Sequence, residues 1–172
     1  MERSDVGDEA GVTIECAQPQ DAEAILAVQR LAYRGEAALY DDMPLPPLTE
    51  TAEAIRQAIA SQVVLKATRA GQIIGSVRAY QRDGTCYIGR LVVHPNEQNR
   101  GLGTRLMHEV ERLFPGVARF ELFTGHRSMR NLHLYAKLGY RPFRHEYVDE
   151  RLTLVYLEKR RGPDLETDKE AP

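Results

Sequence analysis

No stretch of the 172-residue chain approaches the ~20 consecutive apolar residues that a membrane span requires. Residues 1–10 are acidic and polar, without the charged-then-apolar order of a secretory leader. No membrane partner is expected, and the cytoplasm is the default compartment. A basic excess is also missing: 23 Lys and Arg stand against 25 Asp and Glu, which argues against nucleic acid as the main partner. Cysteine is scarce. Cys16 and Cys86 both fall in apolar, strand-like runs with no metal-ligand spacing, so both are read as reduced core residues, with no metal and no disulfide. A chain of this length can bury one core without either staple.

What is present concentrates between Val92 and Met107. An apolar run (Ile88, Leu91, Val92, Val93) ends at Pro95, which cannot donate to a strand ladder. A polar turn follows, and then a helix with Leu102, Leu106, Val110 and Leu113 on one face. Gly101 and Gly103 lack a Cβ, so the backbone from Gln98 to Thr104 can approach a ligand closely and aim several N–H groups at one point. Such a helix start suits a phosphate or pyrophosphate. Two commoner phosphate motifs are excluded by what is missing: there is no third glycine near Leu106, and no Lys-Ser or Lys-Thr pair after the second glycine.

The remaining pattern, Gln98-x-x-Gly101-x-Gly103 behind Val93-x-Pro95, resembles the acetyl-CoA-binding segment of the GCN5-related N-acetyltransferase (GNAT) family. A second segment, running from Ser128 through Leu134-Tyr135-Ala136-Lys137-Leu138-Gly139-Tyr140, is similar to that family's later helix, in the family's order and at its separation. The resemblance spans residues 12–159 and is tight in these two segments.

Taken in order, residues 1–10 are expected to stay mobile, residues 12–16 alternate as a strand, and residues 21–33 carry a helix with Gly35 beyond its end. Residues 36–48, broken by Pro44, Pro46 and Pro47, read as a loop, and residues 51–60 as a short helix. Strands at 63–69, 73–81 and 86–93 form a meander through turns at Ala70-Gly71 and Asp83-Gly84. After the glycine turn come a helix to Phe114, a strand at 117–124, a helix at 128–138 and strands near 141–148 and 152–158. A strand, a crossover helix and a strand imply that the runs flanking the Gly101 helix lie parallel. Pattern alone therefore gives a mixed α+β sheet with helices able to cover both faces. Resemblance adds a single N-acetyltransferase domain over residues 11–159, its mostly antiparallel sheet splayed between the fourth and fifth strands. Residues 160–172 read as a charged, disordered tail.

Resemblance implies an enzyme that moves an acetyl group from acetyl-CoA, as co-substrate and without metal, to a primary amine by direct attack in a ternary complex. A lysine-like amine with a pKa of about 10.4 is neutral only about once in 2,500 molecules at pH 7, so a base or water chain is needed. Tyr135 aligns with the family's general acid, which protonates the departing thiolate. Leu91, Val92 and Val93 align with the strand that pairs with the pantetheine amides, and Gln98, Asn99, Arg100, Gly101, Leu102, Gly103 and Thr104 with the pyrophosphate cradle. Where many members carry an asparagine that touches the coenzyme, this chain has Ser128, with Asn131 one helical turn later. Either can serve, although Ser128 also fits a helix N-cap.

Several members carry a glutamate on the strand before the glycine turn, but this chain reads Tyr87-Ile88-Gly89-Arg90 there. Glu121 and His126 are the remaining candidates for the base, against the plainer readings of a strand-surface charge and a solvated loop histidine. Tyr33, Tyr40, Asp41 and Asp42, around the loop between the first two helices, are expected to receive the acceptor, a small-molecule or peptide amine. Exposed terminal strands allow a homodimer. The missing strand carboxylate keeps a second reading open, a non-catalytic acyl-CoA sensor or interaction module. A third reading is a phosphate-binding protein unrelated to coenzyme A.

Overall fold

The computed structural model describes residues 11–162. Seven strands form one sheet in the order β1-β2-β3-β4-β5-β7-β6: β1 (Val12–Cys16), β2 (Val63–Arg69), β3 (Gln72–Arg82), β4 (Thr85–Val93), β5 (Arg119–Gly125), β6 (Arg141–Tyr147) and β7 (Thr153–Arg160). All neighbours are antiparallel except β4 and β5. The meander turns use left-handed backbone at Ala70-Gly71 (φ 48 and 75) and Asp83-Gly84 (φ 51 and 77), as tight hairpins require.

Helices α1 (Ala22–Ala38), α2 (Pro46–Thr49), α3 (Ala52–Ser61), α4 (Leu102–Leu113) and α5 (Met129–Lys137) cover the sheet. Because side chains alternate along a strand, β2 sends Val64 to one face, against Ile25, Leu26, Ile55 and Ala58 of α1 and α3. It sends Leu65 to the other, into the main core with Val77, Cys86, Leu106, Met107, Val110, Phe120 and Leu157. A third cluster joins Ala37, Tyr40, Leu45 and Leu152, fastening the end of α1 over the start of β7.

Several local expectations need correcting. Helix α1 does not stop before Gly35 but runs through it to Ala38. Gly35 has open space around it, and burial of Ala37 and Tyr40 outweighs the ~1 kcal/mol that a helical glycine costs. The expected loop at 36–48 thus contains the last turn of α1 and the start of α2. Cys86 is buried, but Cys16 is exposed: it shares a face with Val12 and Ile14, yet it stands at the end of the edge strand β1, past the cover that the core gives Val12. The tail expected from residue 160 begins later. Arg160 still pairs with Arg119 across β7 and β5, and Arg161 donates to the carbonyls of Phe114 (2.6 Å) and Glu111 (3.0 Å), closing the end of α4. Residues 1–10 and 163–172, for which mobility was expected, lie outside the described residues.

The feature that makes a site is a partial pairing. Strands β4 and β5 run together only over Thr85–Tyr87 and Arg119–Glu121. Beyond Tyr87, β4 pairs with β3 alone and β5 with β7 alone, so the sheet opens as a wedge.

Candidate active site

In that wedge, β4 presents a strand edge with no ladder partner on its β5 side from Ile88 onward. The edge carries an irregularity. Ser76 and Arg78 of β3 oppose Val92 and Gly89 of β4, so one extra residue is inserted in β4, and Arg90 takes a left-handed φ of 51. A cleft of about 290 Å³ opens here. Its walls are Leu91, Val92 and Val93 of β4, Tyr33 and Glu36 of α1, Asn131 and Leu134 of α5, and the glycine turn.

The turn is built for free donors. Asn99 (φ 63) and Gly101 (φ 79) are both left-handed, and Gly101 is the N-cap of α4 with no side chain capping it. Arg105 N–H to the Gly101 carbonyl, at 3.1 Å, is the first helical bond, so the N–H groups of Leu102, Gly103 and Thr104 have no partner within the helix. With the positive end of the helix behind them, their geometry suits an anion. The Gln98 amide braces the turn, donating to the Val93 carbonyl at 3.1 Å and accepting from Arg130. The two glycines serve different needs. Gly101 is required by its φ, whereas a Cβ on Gly103 would lie 3.3 Å from Leu134 Cδ2, so Gly103 lets α4 pack against α5.

Tyr135 of α5 is buried, at 5% exposure. Burial, reinforced by Tyr33 and Glu36 nearby, pushes its hydroxyl well above the ordinary phenol range, so it stays protonated. Glu36 closes a directed chain of hydrogen bonds. Arg127 N–H donates to the Tyr40 hydroxyl (3.1 Å), Tyr40 lies 2.8 Å from Ser128 Oγ, and Ser128 donates to the Glu36 carboxylate. Because the Ser128 proton goes to Glu36, the Tyr40 proton goes to Ser128. One carboxylate is thereby fixed at the cleft wall.

A second cavity, of about 390 Å³, meets the first at Tyr33. It lies on the sheet face covered by α1 and α3 and is lined by Arg78 and Tyr80 of β3, Tyr87 and Arg90 of β4, Glu121 and Phe123 of β5 and Tyr156 of β7. Arg78 (2.8 Å) and Arg90 (3.2 Å) share the carboxylate of Glu50, which also accepts from Gln29 at 2.7 Å. Burial alone would raise the Glu50 carboxyl, but Gln29 and the two guanidinium groups outweigh it and hold Glu50 below the usual carboxylate range.

The profile of the acetyltransferase (GNAT) family matches residues 29–140, which contain β2–β5, the glycine turn, α4 and α5. The chain belongs to the GNAT family. Membership makes it an acetyl-CoA-dependent acyltransferase. No curated protein matches it. Solved structures share the fold at low identity. The PaiA N-acetyltransferase of Thermoplasma acidophilum, in complex with coenzyme A, is 18% identical with a TM-score of 0.72, covering 87% of this chain and 99% of that one. The ribosomal-protein-S18-alanine N-acetyltransferase of Escherichia coli is also 18% identical, with a TM-score of 0.71 and coverage of 90% and 98%. The yncA protein of Salmonella typhimurium, solved with its cofactor acetyl-CoA, is 20% identical, with a TM-score of 0.68 and coverage of 92% and 99%.

For this GNAT protein the structure gathers Leu91, Val92, Val93, Gln98, Asn99, Gly101, Leu102, Gly103, Thr104 and Asn131 around one cleft. Other candidates stand elsewhere. Arg100 is turned toward Glu97 (3.6 Å) and does not line the cleft. Ser128 is neither an N-cap by its side chain nor open to the cleft; it is 2% exposed and bonded to Tyr40 and Glu36. Asn131 lines the cleft and donates to Thr124 Oγ1 at 3.3 Å.

The two candidates for the base are engaged. Glu121 is ion-paired with Arg119 at 2.6 Å, and His126 lines neither cavity while its Nδ1 accepts from Thr153 N–H at 3.0 Å. Of the acceptor candidates, Tyr33 stands between the cavities, but Tyr40 is 1% exposed inside the core. Asp41 and Asp42, at φ 53 and 52, form the turn after α1, where aspartate tolerates left-handed backbone, and line neither cavity. Glu36, on the cleft wall, falls in the segment that Gly35 marks as a loop, although α1 runs on through it. Gln29, Tyr33, Glu36 and Tyr40 follow helical spacing, and that period was the signal available.

Proposed function

We propose that the protein transfers the acetyl group of acetyl-CoA to a primary amine by direct attack in a ternary complex. The observation that carries this is the convergence, in one wedge, of an unpaired strand edge, an uncapped helix N-terminus and the Glu36 carboxylate; Tyr135 lines neither cavity and lies buried behind the wall, within electrostatic reach of Tyr33 and Glu36. The residues fit the coenzyme. The N–H groups of Leu102, Gly103 and Thr104 would hold its diphosphate, and the β4 edge at Leu91–Val93 would pair with the pantetheine amides in strand fashion. Acetyl-CoA supplies an activated thioester.

Glu36, kept in place by Ser128, takes the proton that the amine loses as its nitrogen bonds to the acetyl carbon. A β4 backbone N–H steadies the carbonyl oxygen. Tyr135, which burial keeps protonated, gives its proton to the sulfur as the C–S bond breaks. Neither cysteine lines either cavity, which favours direct attack over an acyl-cysteine route. The sensor reading rested on a missing carboxylate, and Glu36 supplies one.

Initial-rate kinetics of thiol release, with both substrates varied over an amine panel, test this reading. Intersecting double-reciprocal lines support direct transfer. Parallel lines contradict it, and tight coenzyme binding with no release from any amine returns the sensor reading.

A further inference from the structure

Resting on the transfer reading above, we propose that the second cavity selects an acceptor carrying a carboxylate within a few bonds of its amine, an α-amino acid with an apolar side chain. The carboxylate is received by Arg78 and Arg90. Charge is the first argument. Two guanidinium groups share the single carboxylate of Glu50, so one positive charge is left over in a half-buried place. The cavity's other ionised side chain, Glu121, belongs to a balanced network of two carboxylates and two guanidinium groups: Arg119 pairs with both Glu121 and Glu158, and Glu158 also pairs with Arg160. Among the described residues, the terminal nitrogens of Arg90 make no hydrogen bond, since its pairing with Glu50 uses Nε. They remain available to an incoming carboxylate as a planar fork.

Backbone cost is the second argument. Arg90 sits in left-handed backbone at the β4 bulge, which costs a non-glycine residue about 1–2 kcal/mol. Gly89 is next to it at an ordinary φ, yet the strained position carries an arginine, whose side chain the bulge aims at the cavity.

Distance is the third. Tyr33 lines both cavities and feels Arg90 and Glu36 as near charges. An amine delivered to Glu36 and a carboxylate received by Arg90 would therefore both lie beside Tyr33, where the two cavities meet. Tyr80, Tyr87, Ile88, Phe123 and Tyr156 also line the cavity, beside the polar Gln62, and offer a surface for an apolar side chain.

The test compares L-phenylalanine and L-leucine with their carboxamides as acceptors, in thiol release by the full chain. The amide's amine is the more readily neutral, so intrinsic reactivity favours the amide. The expected result is a kcat/KM at least tenfold higher for the acids, with Arg90→Gln abolishing that preference while the KM for acetyl-CoA stays unchanged. A merely structural role for Arg90 would lower acids and amides alike and would overturn the proposal. So would wild-type preference for amides, amines without a carboxylate or peptide N-termini, which needs no variant. If none of the four compounds is acetylated, calorimetric titration of each acid and amide onto the protein loaded with coenzyme A decides the subsite. Acid-selective binding that Arg90→Gln removes keeps the subsite while the transfer reading falls; equal binding overturns the subsite.

Discussion

Glu36 and Ser128 stand 92 positions apart in the chain and share one hydrogen bond, Ser128 donating to the carboxylate. The bond joins the last turn of α1 to the start of α5, and through Tyr40 it reaches the backbone of Arg127. A carboxylate at a cleft wall is thereby held in one orientation by a hydrogen-bond donor from another element.

Replacing Ser128 by alanine should affect stability and activity together. The Tyr40 hydroxyl would lose its acceptor in a site 1% exposed, at about 1–3 kcal/mol, read as a lower denaturant midpoint. Glu36→Gln should behave differently. The amide oxygen still accepts from Ser128, so stability stays near wild type, whereas kcat falls by roughly 10² with coenzyme affinity unchanged. Full kcat in Glu36→Gln would remove the base assignment.

Tyr135→Phe keeps the ring contact with Tyr140, whose centroid lies 6.0 Å away, and deletes only the hydroxyl. The expected loss is about 10² or more in kcat, with the coenzyme Kd within twofold by calorimetry. Because burial raises the Tyr135 hydroxyl, no fall in rate near the ordinary phenol value of about 10 should trace to it; such a fall that vanishes in Tyr135→Phe would contradict the assignment.

How much of this was legible in the sequence follows from the range of each signal. The meander, the glycine turn and the amphipathic faces of α4 and α5 are local: residues 63–93 carry the first, and residues 92–107 and 128–140 carry the others. Glu36, Tyr40 and the Arg78, Arg90 and Glu50 cluster were not legible. Their partners lie 21 to 92 positions away, and their meaning depends on α1 running past Gly35 and on one extra residue in β4. A glycine reads as a helix end unless tertiary burial carries the helix on, and a bulge has no period of its own.

The two glycines of the turn should separate cleanly. Gly101→Ala meets no atom within 4 Å but strains a φ of 79, so coenzyme affinity should drop about tenfold as the turn relaxes away from its donors. Gly103→Ala presses on Leu134 Cδ2 at 3.3 Å, and its destabilisation should shrink in a Leu134→Ala background. Thermal unfolding of the four combinations measures that coupling, and strict additivity would contradict it.

The cysteines should differ in reactivity. Burial, with the Glu111 charge nearby, pushes the Cys86 thiol up to about 12, while Cys16 is exposed. Iodoacetamide at pH 8 should alkylate one equivalent, at Cys16, in the folded protein and two after unfolding. The native state holds the Cys86 proton longer than the unfolded chain does. Its stabilising contribution is therefore intact below the ordinary thiol value of about 8.5 and declines as pH rises from there toward about 12.

The most direct test of the central claim is a crystal structure of the protein with coenzyme A. The account predicts the diphosphate on the N–H groups of Leu102, Gly103 and Thr104, and the sulfur within hydrogen-bond reach of the Tyr135 hydroxyl. Coenzyme bound away from the turn, or a sulfur facing no side chain of α5, would contradict it.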